Sequence, residues 1–205
     1  ARLLHELMPD EPEVTGLLAL LLLADARQHA RWDDDGRLVL LRDQDRSRWS
    51  PRLVEEGQAL VRSCLRRNRP GPYQVQAAIS AVHADAVRAE DTDWPQVLAL
   101  YDHLAELDPS PVVSLNRAVA VAEVHGAASA LAQVEALSGL EGYPPWHVTR
   151  GELLARLGNP DGARDALRRA LDLASDDGTR RHLQRRLAEL DGPPATGGAQ
   201  TASTS

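Results

Sequence analysis

Lysine and phenylalanine are absent from this sequence, cysteine occurs once, and aromatic residues make up 3% of the 205 positions. So few aromatics disfavour a β-sandwich, while abundant Leu and Ala suit close helix-on-helix packing. The lone Cys64 excludes an internal disulfide, and within the helical run LVRSCLRR it has the size of a packing residue. Long apolar runs are missing as well. The longest, GLLALLLLA from Gly16 to Ala24, falls short of the roughly 20 residues a membrane span needs and reads as a buried helix. Positive charge is in deficit, with a formal net charge of -7, so the chain as a whole matches a phosphate backbone poorly. Every cation is Arg, to which no mechanistic weight attaches.

Chemical motifs are equally scarce. The seven histidines are scattered without the i, i+4 pairing of a helical zinc site. A calcium loop centred on Gly36 of DDDG puts Arg31 at its first position and Arg42 at its last, so a solvated turn is expected there instead. There is no Gly-rich phosphate loop, nucleophile elbow or paired-Cys motif. The expectation is a non-enzyme with no catalytic residue, no cofactor and no metal. The chain begins without Met in what reads as mid-helix, ARLLHEL, and lacks a cleavable signal pattern; a piece of a longer cytoplasmic protein is expected.

What is present is helical periodicity. Leu3 to Leu7 read as the end of a helix stopped at MPDEP, and a further helix runs from about Glu13 to Arg31. Arg37 to Leu41 is the only β-like piece. Ser50-Pro51 supplies an N-cap and a proline at the first position of a helix to about Arg67, with Glu55 and Glu56 early, where the macrodipole favours them. Further helices are predicted over Tyr73 to Val87, Trp94 to Leu107 with Asp93 as cap, and Asp176 to Leu190. The last of these carries Leu183, Leu187 and Leu190 on one stripe and Arg on the others, as a solvent-facing capping helix does.

Between them a period of about 33 residues links Leu104, Leu137 and Ala170, which is the mark of stacked helix pairs. Gly151, Gly158, Ala163, Leu167 and Ala170 fall where a tetratricopeptide pair places small, turn and large apolar residues. The fold class is therefore all-α, a helical-hairpin array of tetratricopeptide-like type with one short irregular or extended insert. Residues 1–70 form an N-terminal helical part containing the insert Asp33 to Trp49, residues 71–190 the repeats, and residues 191–205 a disordered tail rich in Gly, Pro, Ser and Thr.

One segment departs from the Leu and Ala background, LLRDQDRSRW from Leu40 to Trp49. Asp43, Asp45, Arg46 and Arg48 are spaced to form carboxylate-guanidinium pairs, and Trp49 to cover them with a face that accepts a cation. An internal clasp is the first reading and a partner contact the second. In NRAVAVAE, predicted to line the groove of the array, Asn116 and Arg117 are suited to hold a peptide backbone and a carboxylate, or else an ordinary inter-helix hydrogen bond.

Taken together, MPDEPEVTGLLALLLL, LLRDQDRSRW, GPYQVQAAISAVHA, EDTDWPQVLALYDHL, SPVVSLNRAVA and RGELLARLG resemble the C-terminal part of extracytoplasmic-function sigma factors that carry a tetratricopeptide extension. The resemblance covers about Ala1 to Leu190. It implies a bacterial transcription-initiation protein whose upstream sigma domains, absent here, bind core RNA polymerase and promoter DNA, with the extension governing their activity. No basic helix-turn-helix segment occurs in this chain, so direct contact with nucleic acid is not expected of it, nor with a membrane.

Overall fold

The computed structural model describes residues 1–192, so the expectation for the tail lies almost wholly outside the described residues. Among the described residues ten α-helices follow one another: α1 (Arg2–Leu7), α2 (Pro12–Asp25), α3 (Pro51–Arg67), α4 (Pro72–Asp85), α5 (Trp94–Leu107), α6 (Pro111–His125), α7 (Ala127–Ala136), α8 (Pro144–Arg156), α9 (Pro160–Leu173) and α10 (Asp177–Asp191). Among the described residues there is no strand, only an isolated bridge between Trp32 and Leu38. The protein is an all-α helical-repeat array.

Local chemistry fixes most of the boundaries. Proline opens α2 through α6, α8 and α9, where its missing N–H is one that a helix leaves unpaired anyway. Asp93, Ser110, Asn159 and Asp176 each accept a backbone N–H from the first turn that follows. Ser50 occupies the expected cap position of α3, but its side chain makes no capping bond.

Neighbouring helices pack in sequence, α4 with α5, α6 with α7, α8 with α9, and α10 closes the end against α9. The main core runs through α4, α5, α6, α7 and α8, with Val97, Leu115, Ala118, Val121 and Val134 almost fully buried. At the last pair the expected small positions do what the pattern demands. A Cβ on Gly151 would stand 3.2 Å from the Ala163 carbonyl, so α8 and α9 approach as closely as the backbone allows, over Leu167 and Ala170. Leu183 of α10 is completely buried on that surface.

The N-terminal part has its own small core, in which Ala19 and Leu23 of α2 meet Val61 of α3 and Ala77 and Ala81 of α4. α4 thus serves two cores, turning Val75, Ile79 and Val82 the other way. Cys64 is buried with its thiol 3.7 Å from the Pro12 carbonyl, and burial pushes its pKa up. α2 ends at Asp25, earlier than expected, because residues 26–30 turn away through a 3-10 turn and begin a long loop. The neck of that loop is closed by Ser50 N–H donating to Ala26 O at 2.9 Å.

Candidate functional site

Between its neck residues the loop, 27–49, leaves the helix pairs, runs along the array and returns. Its first arm is a small hairpin: Val39 N–H donates to Arg31 O, Asp33 N–H donates to Arg37 O, and the Asp33 carboxylate accepts from the backbone N–H groups of Asp35 and Arg37. The DDDG stretch is therefore a solvated turn whose first carboxylate is spent on its own backbone. The hairpin reaches the far end of the array. Arg181 of α10 donates to Gly36 O at 3.4 Å, and Trp32 lies against Gly178, where a Cβ would stand 3.0 Å from its ring. On the return, Arg42 approaches Glu152 of α8 at 3.7 Å, a carboxylate already held by Arg186 at 2.7 Å. The loop thus follows α10, then α8, then α4.

At α4 it is latched. Arg46 donates through one terminal nitrogen to His83 O and to Ala86 O, the latter at 2.5 Å. These are carbonyls at the C-terminal end of α4, which the helix cannot satisfy itself and where the macrodipole favours a cation. Trp49 is buried under this contact, with the Arg46 guanidinium 5.1 Å and the Arg27 guanidinium 5.9 Å from the ring centroid. Burial lowers the pKa of both arginines from the usual value.

The expected carboxylate-guanidinium pairs do not form, which corrects the sequence reading of the clasp. Asp45 instead accepts from Ser47 N–H at 2.9 Å and Ser47 Oγ–H at 2.6 Å, and these bonds hold its carboxyl below the usual range. A bond to a residue two positions along orders far less chain than an ion pair across the cluster. Asp43 lies 3.7 Å from Arg42, and Arg48 is exposed without an ion pair among the described residues. Arg46 was thereby left free for the helix end, whose unpaired carbonyls no residue type announces. Three buried polar atoms in this stretch have no hydrogen-bond partner among the described residues: Gln44 Oε1, Arg46 Nε and Trp49 Nε1. Such orphans are uncommon in a settled structure.

The two groove candidates part company. Arg117 bridges α5 and α7, donating to Asp102 at 2.6 Å and Gln133 at 2.8 Å, and is an inter-helix tie. Asn116 is exposed, its side chain makes no hydrogen bond among the described residues, and it lines a cavity of about 590 Å³ between the loop and the array. Leu40, Leu41, Arg42, Asp43 and Arg46 of the loop form one wall of it. His83, Trp94, Tyr101, Val119, Glu123 and Arg156 on the array face them. His83 stands edge-on to Trp94, ring centroids 5.4 Å apart. Burial, then the positive charges of Arg46 and Arg27, lower its pKa from 6.5 to about 4, so it is neutral at physiological pH.

Sequence reasoning missed His83, Tyr101 and the Arg156-Glu123 pair, which closes at 2.6 Å. Their helical spacing is that of ordinary surface positions, and only the path of the loop brings them to face Arg42 and Arg46.

Fold and site together define a helical-repeat array crossed by its own latched loop, over a cavity with both apolar and polar walls. A family model described as a family of unknown function, DUF6596, matches residues 1–65, a stretch that contains the entire loop. An uncharacterized protein of Rhizobium meliloti (strain 1021) is 49% identical over 197 residues, covering 96% of this chain and 47% of its own length. The chain therefore spans about half the length of that relative. No solved structure matches it. No helix among the described residues is long and apolar enough to cross a membrane.

Proposed function

We propose that this chain is a non-catalytic regulatory module of a bacterial extracytoplasmic-function sigma factor. It controls DNA-templated transcription initiation in the cytoplasm through contacts with the sigma domains of the same polypeptide, and through them with core RNA polymerase and promoter DNA. The sequence resemblance supplies the class. The observation that carries the mechanism is the loop itself, laid along the array and held by hydrogen bonds to helix-end carbonyls, with three buried polar atoms left unpaired. A segment held this way can exchange between a latched and a released state while the apolar core of the helix pairs stays intact. The sigma domains would bias that exchange by binding one state better than the other.

The test is promoter-specific transcription by core RNA polymerase with the full-length polypeptide, with a version lacking this module, and with Arg46→Ala. Unchanged output and regulation in both altered proteins would overturn the reading. A general scaffold for an unrelated peptide is the alternative, favoured by Asn116, whose side-chain amide faces the cavity without a partner among the described residues. Pull-down with the isolated sigma domains separates the two, since only the regulator binds them saturably.

A further inference from the structure

We propose that the cavity beneath the loop is a binding site for a small ring-bearing carboxylate. Its volume of about 590 Å³ lies within the range of about 300–1,000 Å³ typical of sites for drug-sized molecules. Its walls carry the composition of such sites. Leu40, Leu41, Val119, Trp94 and Tyr101 offer apolar and aromatic faces, and a few polar groups converge among them.

The state of those polar groups selects the ligand. Of the three acids that line the cavity, Glu123 is held by Arg156 at 2.6 Å, Glu90 sits 3.5 Å from Arg88, and Asp43 sits 3.7 Å from Arg42. Arg42 is different. It is ion-paired to Asp43 and Glu152, both 3.7 Å away, yet its side chain makes no hydrogen bond among the described residues, so a carboxylate ligand that reaches its fork gains hydrogen bonds these neighbours do not make. Arg46 Nε is buried without an acceptor, and neither the Asn116 amide nor the Tyr101 hydroxyl makes a hydrogen bond among the described residues. A planar carboxylate meets the geometry of a guanidinium fork, and a ring behind it fills the aromatic face.

Because loop and array each supply a wall, such a ligand binds the latched state alone and holds the loop down. The site stands on cavity geometry and does not rest on the transcription reading. A null result in the promoter assay leaves it untouched, and a null result here leaves that reading untouched.

The experiment is calorimetric titration of the 205-residue chain with naphthylacetate, phenylpropionate and cyclohexylacetate, each beside its uncharged primary amide. At least one carboxylate binds with one-to-one stoichiometry, about tenfold or more tighter than its amide. Arg42→Gln removes that preference. Val119→Trp, or Asn116→Trp should the first variant misfold, fills the cavity and abolishes binding of acid and amide alike; both positions are exposed, so the native melting temperature is retained. Hydrogen exchange of residues 40–49 slows when the carboxylate is bound. The proposal is overturned if no carboxylate binds with a Kd below about 1 mM, if acid and amide bind equally, or if a cavity-filling variant binds as the native chain does.

Discussion

Two regions of the molecule meet at α4 and use it differently. The array takes Val75, Ile79 and Val82 from its flank into an apolar core where Leu115 is 1% exposed. The loop takes the carbonyls at its C-terminal end, by way of Arg46. In the array, stability scales with buried apolar area and is shared among neighbouring pairs. In the loop it depends on a few polar bonds and the buried faces of Trp49 and Ala30, beside orphaned donors and acceptors that oppose them. One region therefore unfolds as a body, while the other can let go by itself.

The comparison breaks most readily in the array. Leu115→Ala leaves a hole in the main core and costs about 3–4 kcal/mol in denaturant titration, with array and loop lost together. Acid strikes the seam between the regions. His83 carries a pKa of about 4 when folded against 6.5 free, so its contribution is intact above pH 6.5 and declines as the pH falls toward 4. At about 1.4 kcal/mol per pH unit, the loss reaches about 3 kcal/mol at most. The difference in melting temperature between the native chain and His83→Leu, followed from pH 7 to pH 4, isolates it from the titrating carboxylates. His182 is lowered in the same direction, chiefly by burial, and remains in both proteins.

Arg46→Ala tests the latch and sharpens the contrast. It removes charge-assisted hydrogen bonds to two carbonyls and the contact with Trp49, a loss of about 2 kcal/mol. Hydrogen exchange should rise over residues 40–49 well before it rises in α6. Arg48→Ala is the smallest change. An exposed side chain with no ion pair among the described residues should shift stability by less than about 0.5 kcal/mol, and a larger drop would restore the expected carboxylate clasp.

Helices were legible because their signals are local. Asp93 before Trp94-Pro95 marks the start of α5, and the predicted span to Leu107 is the one observed. The 33-residue period placed Leu104 and Ala170 in buried positions. The end of α2 was not legible, since residues 26–30 are pulled out of the helix by a pairing with Ser50 far along the chain. Within the loop the right residues stood out, Arg46 and Trp49 above all, but with the wrong partners. Charges adjacent in sequence suggest each other, whereas the carbonyls at the end of α4 belong to no residue type. Asp45-x-Ser47 carried a local signal, that of a short side chain bonding two residues ahead, and it explains why that carboxylate was unavailable. Arg117 and Asn116 are neighbours in sequence yet face different surroundings, which helical spacing alone does not assign.

The bond from Ser50 N–H to Ala26 O separates chain continuity from architecture. α2 and α3 are already side by side, packed through Leu23 and Val61, so the excursion of residues 27–49 is not what holds them together. Peptide bonds at the hairpin turn, around Asp34 and Asp35, could be cut, or new chain ends placed there, with the helices keeping their places. A single cleavage would then turn the loop into two tethered arms, permanently altering the surface it covers without dismantling the array beneath.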